Sequence, residues 1–371
     1  MSFSVGIVGL PNVGKSTLFK ALTKKPVDIA PYPFTTINPN VGVVTVPDKR
    51  LEEIAKIIKP EKVTPTIIEF VDIAGLVKGA HKGEGLGNQF LANIRNCDAI
   101  LEVVRFFKDD KVEHVAGEVN PERDIEIIKT ELLMKDLEIV ENSLSKLEKE
   151  IKSNDKETIK RSAILKKIKE SLSQGKLIKK LILDDEELNI IKEFQFLTQK
   201  PIVYVLNTDG KNNNTKSKVQ YLEINLKLEE EISELSDEEK IELGIKSQLD
   251  PYTKRGQDAE SVKINEVSPR SGVGVDQIIV SCYNILDLIT FYTVAGGKET
   301  RAWTVKKGAK CPQAGGKIHS DFEKKFIKAE VIPWQKLVET GSWSKCRDLG
   351  LIKTAGKEYM VEDGDVIEFK I

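Results

Sequence analysis

Apolar positions near the start of the chain form a short run, Phe3-Ser-Val-Gly-Ile-Val8, followed by a glycine-rich break and then by Thr17-Leu-Phe-Lys-Ala-Leu22. The run predicts a strand and the second segment a helix, so the chain opens on strand, loop and helix. Two more runs have strand character: Ile67-Ile-Glu-Phe-Val-Asp72, which continues through Ile73-Ala74 to Gly75, and Pro201-Ile-Val-Tyr-Val-Leu206. Between them the period changes. Leu133, Leu137, Val140, Leu144, Leu147 and Ile151 stand alternately four and three apart, with Lys and Glu between them. This is a heptad seam, and it predicts a long helix that needs a partner. Ser153-Asn-Asp155 breaks it, and Leu165, Ile168 and Leu172 resume it before Gln174-Gly175. The expected result is an antiparallel helical coiled-coil hairpin inserted into an α/β unit, with residues 184–197 as a further helix leading back to the sheet.

Residues 248–276 are polar and rich in Gly, Ser, Pro and Asp, and no role is read from them. Residues 277–291 return to an amphipathic helix. From about Thr290 short strand patterns appear, such as Arg301-Ala-Trp-Thr-Val305 and Asp365-Val-Ile-Glu-Phe-Lys-Ile371, with turns at Lys307-Gly308 and Asp363-Gly364. A small β-grasp sheet with one helix fits that pattern. The boundaries that follow are residues 1–120 with 197–285 for the α/β domain, 121–196 for the helical insertion and 286–371 for the C-terminal domain.

Composition narrows the picture. A chain of 371 residues holds two or three domains. Its 57 basic and 58 acidic residues leave a formal charge of -1, so a polyelectrolyte partner is not implied globally, while local basic patches stay open. Cys97, Cys282, Cys311 and Cys346 lack paired spacing and read as reduced thiols, as in the cytoplasm. The chain enters its first strand without a signal-like segment, and no apolar run reaches the roughly 18 residues of a membrane span. A cytoplasmic protein with no membrane partner is expected.

The glycine-rich break carries the chemistry. Gly9-Leu-Pro-Asn-Val-Gly14-Lys15-Ser16-Thr17 is a complete phosphate-binding loop between the strand and the helix that such a loop requires. Its glycines let the amides of residues from Asn12 and Val13 to Thr17 turn toward phosphate oxygens at a helix N-terminus. Lys15 reaches the outer phosphates and Ser16 can ligate Mg²⁺. Asp72, at the end of the second run, stands where a further metal-shell carboxylate belongs, and Gly75 can offer its N–H to the terminal phosphate. Pro31-Tyr-Pro-Phe-Thr35-Thr36 has the layout of a switch segment, with Thr36 as a metal ligand when the terminal phosphate is present. The motifs together point to nucleotide hydrolysis.

The segments Gly9 to Thr17, Asp72-Ile-Ala-Gly-Leu76 and Gly79-Ala-His-Lys-Gly-Glu-Gly-Leu-Gly87 resemble those of the YchF family, the Obg-like ATPases of the translation-factor P-loop class. The likeness runs almost end to end. Arg301-Ala-Trp303 and Gln313-Ala-Gly-Gly-Lys-Ile-His-Ser-Asp-Phe322 resemble the family's TGS domain. The resemblance implies a P-loop fold with a C-terminal β-grasp domain, and a ribosome-associated hydrolase that takes ATP, often in preference to GTP. Its partners would be the ribosome (large subunit or whole) and ribosomal RNA; a monomer is expected, though the sequence does not give the oligomeric state.

Base selection is expected at Asn207-Thr-Asp-Gly210, which follows a buried strand at the end where open α/β sheets place their ligands. Guanine-specific relatives carry Asn-Lys-x-Asp there, and the family usually shows Asn-x-x-Glu. Here Gly210 replaces the carboxylate, which favours ATP. Asn207 and Thr208 would contact the base, and Asn225-Leu-Lys-Leu-Glu229 resembles the family's base loop.

Leu76 stands where many small GTPases use glutamine to position water, and leucine cannot hydrogen-bond it. His81, among glycines, is the candidate replacement; the alternative is a solvated loop histidine. Asn12 resembles the asparagine that positions K⁺ in related hydrolases, or else is a turn residue. Lys146, Lys149, Lys152, Lys166, Lys167 and Lys169 are either a solvated helix face or an RNA-facing arm. Lys306, Lys307, Lys310, Lys317, His319, Phe322, Lys324 and Lys325 carry the same two readings for the C-terminal domain. The competing functions are a nucleotide-gated ribosome-binding module with incidental turnover, and a genuine GTPase. A small-molecule kinase is a weaker third, because no arginine-rich lid is visible.

Overall fold

In the computed structural model the described residues are 3–24, 40–73, 86–109, 114, 117–150, 156–210, 219–243 and 274–371. The first apolar run is β1 (Ser4–Val8), and after the phosphate loop α1 (Lys15–Thr23) begins. β2 (Val41–Thr45) leads into α2 (Lys49–Ile58), which Asp48 caps by accepting the Arg50 N–H at 3.1 Å. Then follow β3 (Lys62–Thr64), β4 (Ile67–Asp72), α3 (Leu86–Arg95) and β5 (Ala99–Phe106). The helical excursion is α4 (Pro121–Glu150), α5 (Lys156–Ser173) and α6 (Asp185–Ile191). The chain returns through β6 (Ile202–Thr208), β7 (Tyr221–Ile224), α7 (Leu226–Glu234) and α8 (Asp237–Glu242) to α9 (Val275–Ile285).

Strands of this part order as β2-β4-β1-β5-β6-β7, parallel except where β2 runs antiparallel to β4. Their near-continuous apolar character follows from helices covering both faces. The predicted seam is real: Leu133, Val140, Leu144 and Leu147 of α4 are buried with Ile164, Leu165, Ile168 and Leu172 of α5. Ile151 and Ser153-Asn-Asp155 lie outside the described residues. The expected helix over 184–197 is shorter: α6 ends at Ile191, two single tight turns follow, and Gln195 takes φ 47° between them.

The helix expected over 277–291 also ends early, at Ile285. Asp287 turns the chain at φ 52°, and β8 (Leu288–Ala295) begins in a β-branched and aromatic stretch. It continues as β9 (Glu299–Lys306), α10 (Cys311–Ile318), α11 (Ser320–Lys324), β10 (Lys328–Pro333), α12 (Trp334–Thr340), α13 (Trp343–Asp348), β11 (Lys353–Ala355) and β12 (Asp365–Lys370). This part holds four helices where the pattern suggested one. Gly341 at φ 84° separates α12 from α13, which Ser342 caps. The second sheet has the order β11-β10-β12-β8-β9-β3. Its last strand comes from the N-terminal half: Lys62–Thr64 pairs in parallel with Glu299, Thr300 and Arg301.

Candidate functional site

The phosphate loop leaves β1 at Gly9, where an added Cβ would stand 2.5 Å from the Val103 carbonyl oxygen of β5. Asn12 follows in the left-handed region at φ 62°, and Gly14 opens α1 at φ 103°. A Cβ at Gly14 would meet the Asn207 side-chain nitrogen at 2.5 Å. Both glycines therefore answer a close approach as well as a dihedral. The Leu18 N–H closes the first helical bond on the Gly14 carbonyl at 2.9 Å, so the amides of Lys15, Ser16 and Thr17 stand ahead of it at the helix N-terminus.

Lys15 is buried, and its Nζ donates to the Leu10 carbonyl at 2.8 Å. Burial lowers its pKa to about 8, against the raising effect of Asp72. Burial in turn raises the Asp72 carboxyl, opposed by the Lys15 charge and by a hydrogen bond with the Ser16 side chain. Lys15, Ser16 and Asp72 thus meet at one point, the junction of α1 and the end of β4. The Asp72 N–H donates to the Asn40 carbonyl at 2.8 Å, so β2 and β4 close together there. A hydroxyl and a carboxylate in mutual reach suit a small hard cation that takes its other oxygens from phosphate and water. Among the described residues no group of three His, Cys, Asp or Glu side chains could hold a metal unaided.

On the other side of the loop, the Asn207 amide donates to the Val13 carbonyl at 3.0 Å and accepts the Leu226 N–H at 3.2 Å. Asn225 caps α7 by accepting the Leu228 N–H at 3.1 Å. Asn207 is therefore a strut between the phosphate loop and the start of α7, a role that depends on pairing distant in the sequence. Thr208 lies beside Phe106 of β5 at the same sheet edge, and Gly210 takes φ 77° just beyond. α7 is held to α1 by Lys24 on Glu234 at 2.7 Å and Lys20 on Glu230 at 3.7 Å. Thr36, Gly75, Leu76 and His81 lie outside the described residues.

Two residues escaped the sequence reading. Arg105, buried next to Asn207 in the sheet, donates to the Phe107 and Asp109 carbonyls and lies 4.5 Å over the Phe107 ring. Its Nη1 has no hydrogen-bond partner among the described residues. Glu102 of the same strand is wholly buried, its Oε1 likewise without one, and burial with Asp124 and Glu126 nearby pushes its pKa well up. The signal was present: Ala99-Ile-Leu-Glu-Val-Val-Arg-Phe106 interrupts a buried apolar strand with two charges.

Two of the arm lysines singled out from the sequence pair with carboxylates of the arm itself. Lys167 pairs with Glu187 and Lys169 with Glu141, each at 2.9 Å. On the C-terminal part, Lys310 meets Glu358 at 2.5 Å, and Lys325 meets Asp321 at 3.3 Å. Lys192, Lys306, Lys307 and Lys317 instead line one cleft with Phe3, Asn96 and Asp98, of about 920 Å³.

A loop of this conformation, closed on one flank by a strand-end carboxylate and on the other by a strand-end asparagine, defines a P-loop nucleoside triphosphatase. The comparisons agree: a family profile described as "50S ribosome-binding GTPase" matches residues 4–208. The YchF-GTPase_C profile, described as "Protein of unknown function (DUF933)", matches residues 288–371. The chain is 45% identical over 382 residues to "Ribosome-binding ATPase YchF" of Haemophilus influenzae, covering 100% of this chain and 99% of the relative. It is 42% identical over 389 residues to the Bacillus subtilis protein of that name, again covering 100% and 99%. The solved Schizosaccharomyces pombe YchF GTPase superposes with a TM-score of 0.79 at 36% identity, covering 100% of this chain and 98% of that one. This chain belongs to the YchF family. Among the described residues no helix is long and apolar enough to cross a membrane.

Proposed function

We propose that the protein is a ribosome-associated, Mg²⁺-dependent nucleoside triphosphatase that prefers ATP to GTP and acts in the cytoplasm as a nucleotide switch in translation. Relatives at 42–45% identity over the whole chain are named ribosome-binding ATPases. The observation that carries the ATP preference is Gly210, which follows β6 at φ 77° and offers no carboxylate to a guanine edge. Residues 1–120 with 197–285 form the nucleotide-binding domain, 121–196 the arm and 286–371 a TGS-type domain.

In this reading the amides of residues 12–17 hold the phosphates and Lys15 leaves the Leu10 carbonyl to meet the outer ones. Ser16, Thr36 and Asp72 would hold Mg²⁺, which would withdraw charge from the phosphate oxygens. Gly75 donates to the terminal phosphate, and Asn207 and Thr208 border the base. His81 takes the water-positioning place that Leu76 cannot fill, and Asn12 with K⁺ supplies the charge of an arginine finger. The lysine-lined cleft supports a ribosomal RNA partner, because phosphate contacts come from Lys and Arg.

Calorimetric titration of nucleotide-free protein with non-hydrolysable ATP and GTP analogues, in Mg²⁺ and K⁺, tests the preference. Tighter GTP binding would overturn it. A second reading, a docking module with incidental turnover, is favoured by Leu76; ribosome-stimulated multiple turnover would exclude it. Equal rates in Na⁺ and K⁺ would remove the role of Asn12, and a His81→Ala variant of unchanged rate would remove that of His81.

A further inference from the structure

Residues 40–72 begin and end at the Ser16–Asp72 site and yet spend their middle in the C-terminal part of the molecule. At the near end the Asn40 carbonyl accepts the Asp72 N–H, and β2 pairs with β4 from Val41 on Val71 to Thr45 on Ile67. At the far end α2 buries Leu51 and Ile54 in one cluster with Tyr292, Ile332, Leu337 and Val366. β3 then joins the second sheet as its edge, and the Thr64 hydroxyl donates to the Glu299 carboxylate at 2.5 Å.

A buried charge cluster fixes this far end. Arg50 grips Asp48 with Nε on Oδ1 at 2.9 Å and Nη2 on Oδ2 at 3.0 Å, while its Nη1 reaches Asp363 Oδ2 at 2.9 Å. Asp363 Oδ1 accepts the Thr290 N–H at 2.9 Å, and the Tyr292 hydroxyl donates to Asp48 at 2.6 Å. The Arg50 and Asp48 side chains are 5% and 3% exposed, so solvent screens this network far less than a surface pair. Removing one partner of such a pair is costly because the other charge stays buried.

We propose that residues 40–72 are a lever coupling the nucleotide site to the C-terminal part, with Arg50–Asp363 as its lock and Asp72 as its working end. The lock lies just past β2, at the start of α2, and the segment returns to Asp72 along β4, whose six residues span on the order of 20 Å at about 3.3 Å per residue. Paired strands transmit displacement, so a partner seated on the C-terminal part shifts Asp72 against Ser16. By linkage, Mg²⁺–nucleotide at the site tightens the far-end contacts to the same extent. This inference rests on the proposed nucleotide-binding role.

The test compares wild type with Asp363→Asn, which removes one charge of the lock, and Thr64→Val, which loosens β3 and spares the lock. Calorimetry with a non-hydrolysable ATP analogue is run with Mg²⁺ and with EDTA, and hydrogen exchange is followed over residues 299–306. Both variants are expected to lose about three- to tenfold in affinity with Mg²⁺ and to change less than twofold in EDTA, where Asp72 has no metal to hold. In wild type, Mg²⁺–analogue is expected to slow exchange at residues 299–306 at least threefold. Affinities within twofold of wild type for both variants, or exchange indifferent to the analogue, would overturn the lever. Failure of wild type to bind the analogue would overturn the nucleotide reading and the lever with it, whereas binding without coupling overturns the lever alone.

Discussion

The Asn207 side-chain amide donates to the Val13 carbonyl across 3.0 Å, joining positions 194 apart and closing the phosphate loop onto the end of β6. Its oxygen accepts the Leu226 N–H, so one buried side chain satisfies two backbone groups of separate loops. Asn207→Ala leaves both unpartnered, at about 1–3 kcal/mol for each buried group left unmade. We expect Asn207→Ala to lower stability on that scale and to weaken ATP and GTP analogues alike, because the loop itself loosens. Denaturant unfolding and calorimetry read the two effects. A variant that loses affinity for one base alone would show that Asn207 serves recognition and not loop geometry.

Lys15 gives a pH dependence of opposite sign for folding and for binding. Its pKa of about 8 lies below the unfolded value near 10.4, so between those values the unfolded chain binds more protons and stability rises with pH. The full contribution is on the order of 3 kcal/mol. Phosphate binding needs the ammonium, so nucleotide affinity falls by up to about tenfold per pH unit above pH 8. Denaturant unfolding of the free protein at pH 7.5 and 10, beside analogue titrations at the same values, should show the two trends crossing. Lys15→Met should abolish both.

Much of the architecture was legible because it follows from periodicity. The heptad positions Leu133, Val140, Leu144 and Leu147 are buried as their spacing requires, and the phosphate loop sits between strand and helix. What escaped is what depends on distant pairing. Lys62-Val-Thr64 is too short and too exposed to read as a strand, and its partner lies 235 positions away, as Thr64 on Glu299 shows. Asn207 was recognised as a site residue, yet its strut role depends on Val13 and Leu226 arriving together. Arg50 carried no local signal beyond an ordinary helix start after Asp48.

Glu102 should make the protein less stable as pH rises. Burial raises its folded pKa above the unfolded value near 4.3, with Asp124 and Glu126 adding to the effect. Its contribution is therefore fully present below pH 4 and lost as pH climbs through the folded value. Glu102→Gln keeps the shape and removes the titration. We expect the variant to gain stability relative to wild type as pH rises above the unfolded value. Urea unfolding at several pH values tests this, and a pH-independent difference would mean that Glu102 titrates alike in the folded and unfolded chain, so that burial does not raise its pKa.

Gly210 is the position at which base choice can be moved by one substitution. Its φ of 77° strains most side chains, but aspartate tolerates the left-handed region better than most. Among the described residues the nearest heavy atom to a Cβ there is the Asn225 side-chain nitrogen at 4.0 Å. Gly210→Asp would supply a carboxylate for the ring N–H and exocyclic amine of guanine, and hydrogen bonds to a charged group contribute about 1.5–3 kcal/mol each. Adenine offers no donor pair of that geometry, so the carboxylate would face it unpaired. The expected outcome is a shift of at least tenfold in the GTP-to-ATP affinity ratio toward GTP, for an unfolding cost near 1 kcal/mol from the backbone. The ratio is measured by competition of the two analogues for one site. If it does not move, the base is read by groups other than residues 207–210, and the proposed ATP preference loses the observation that carries it.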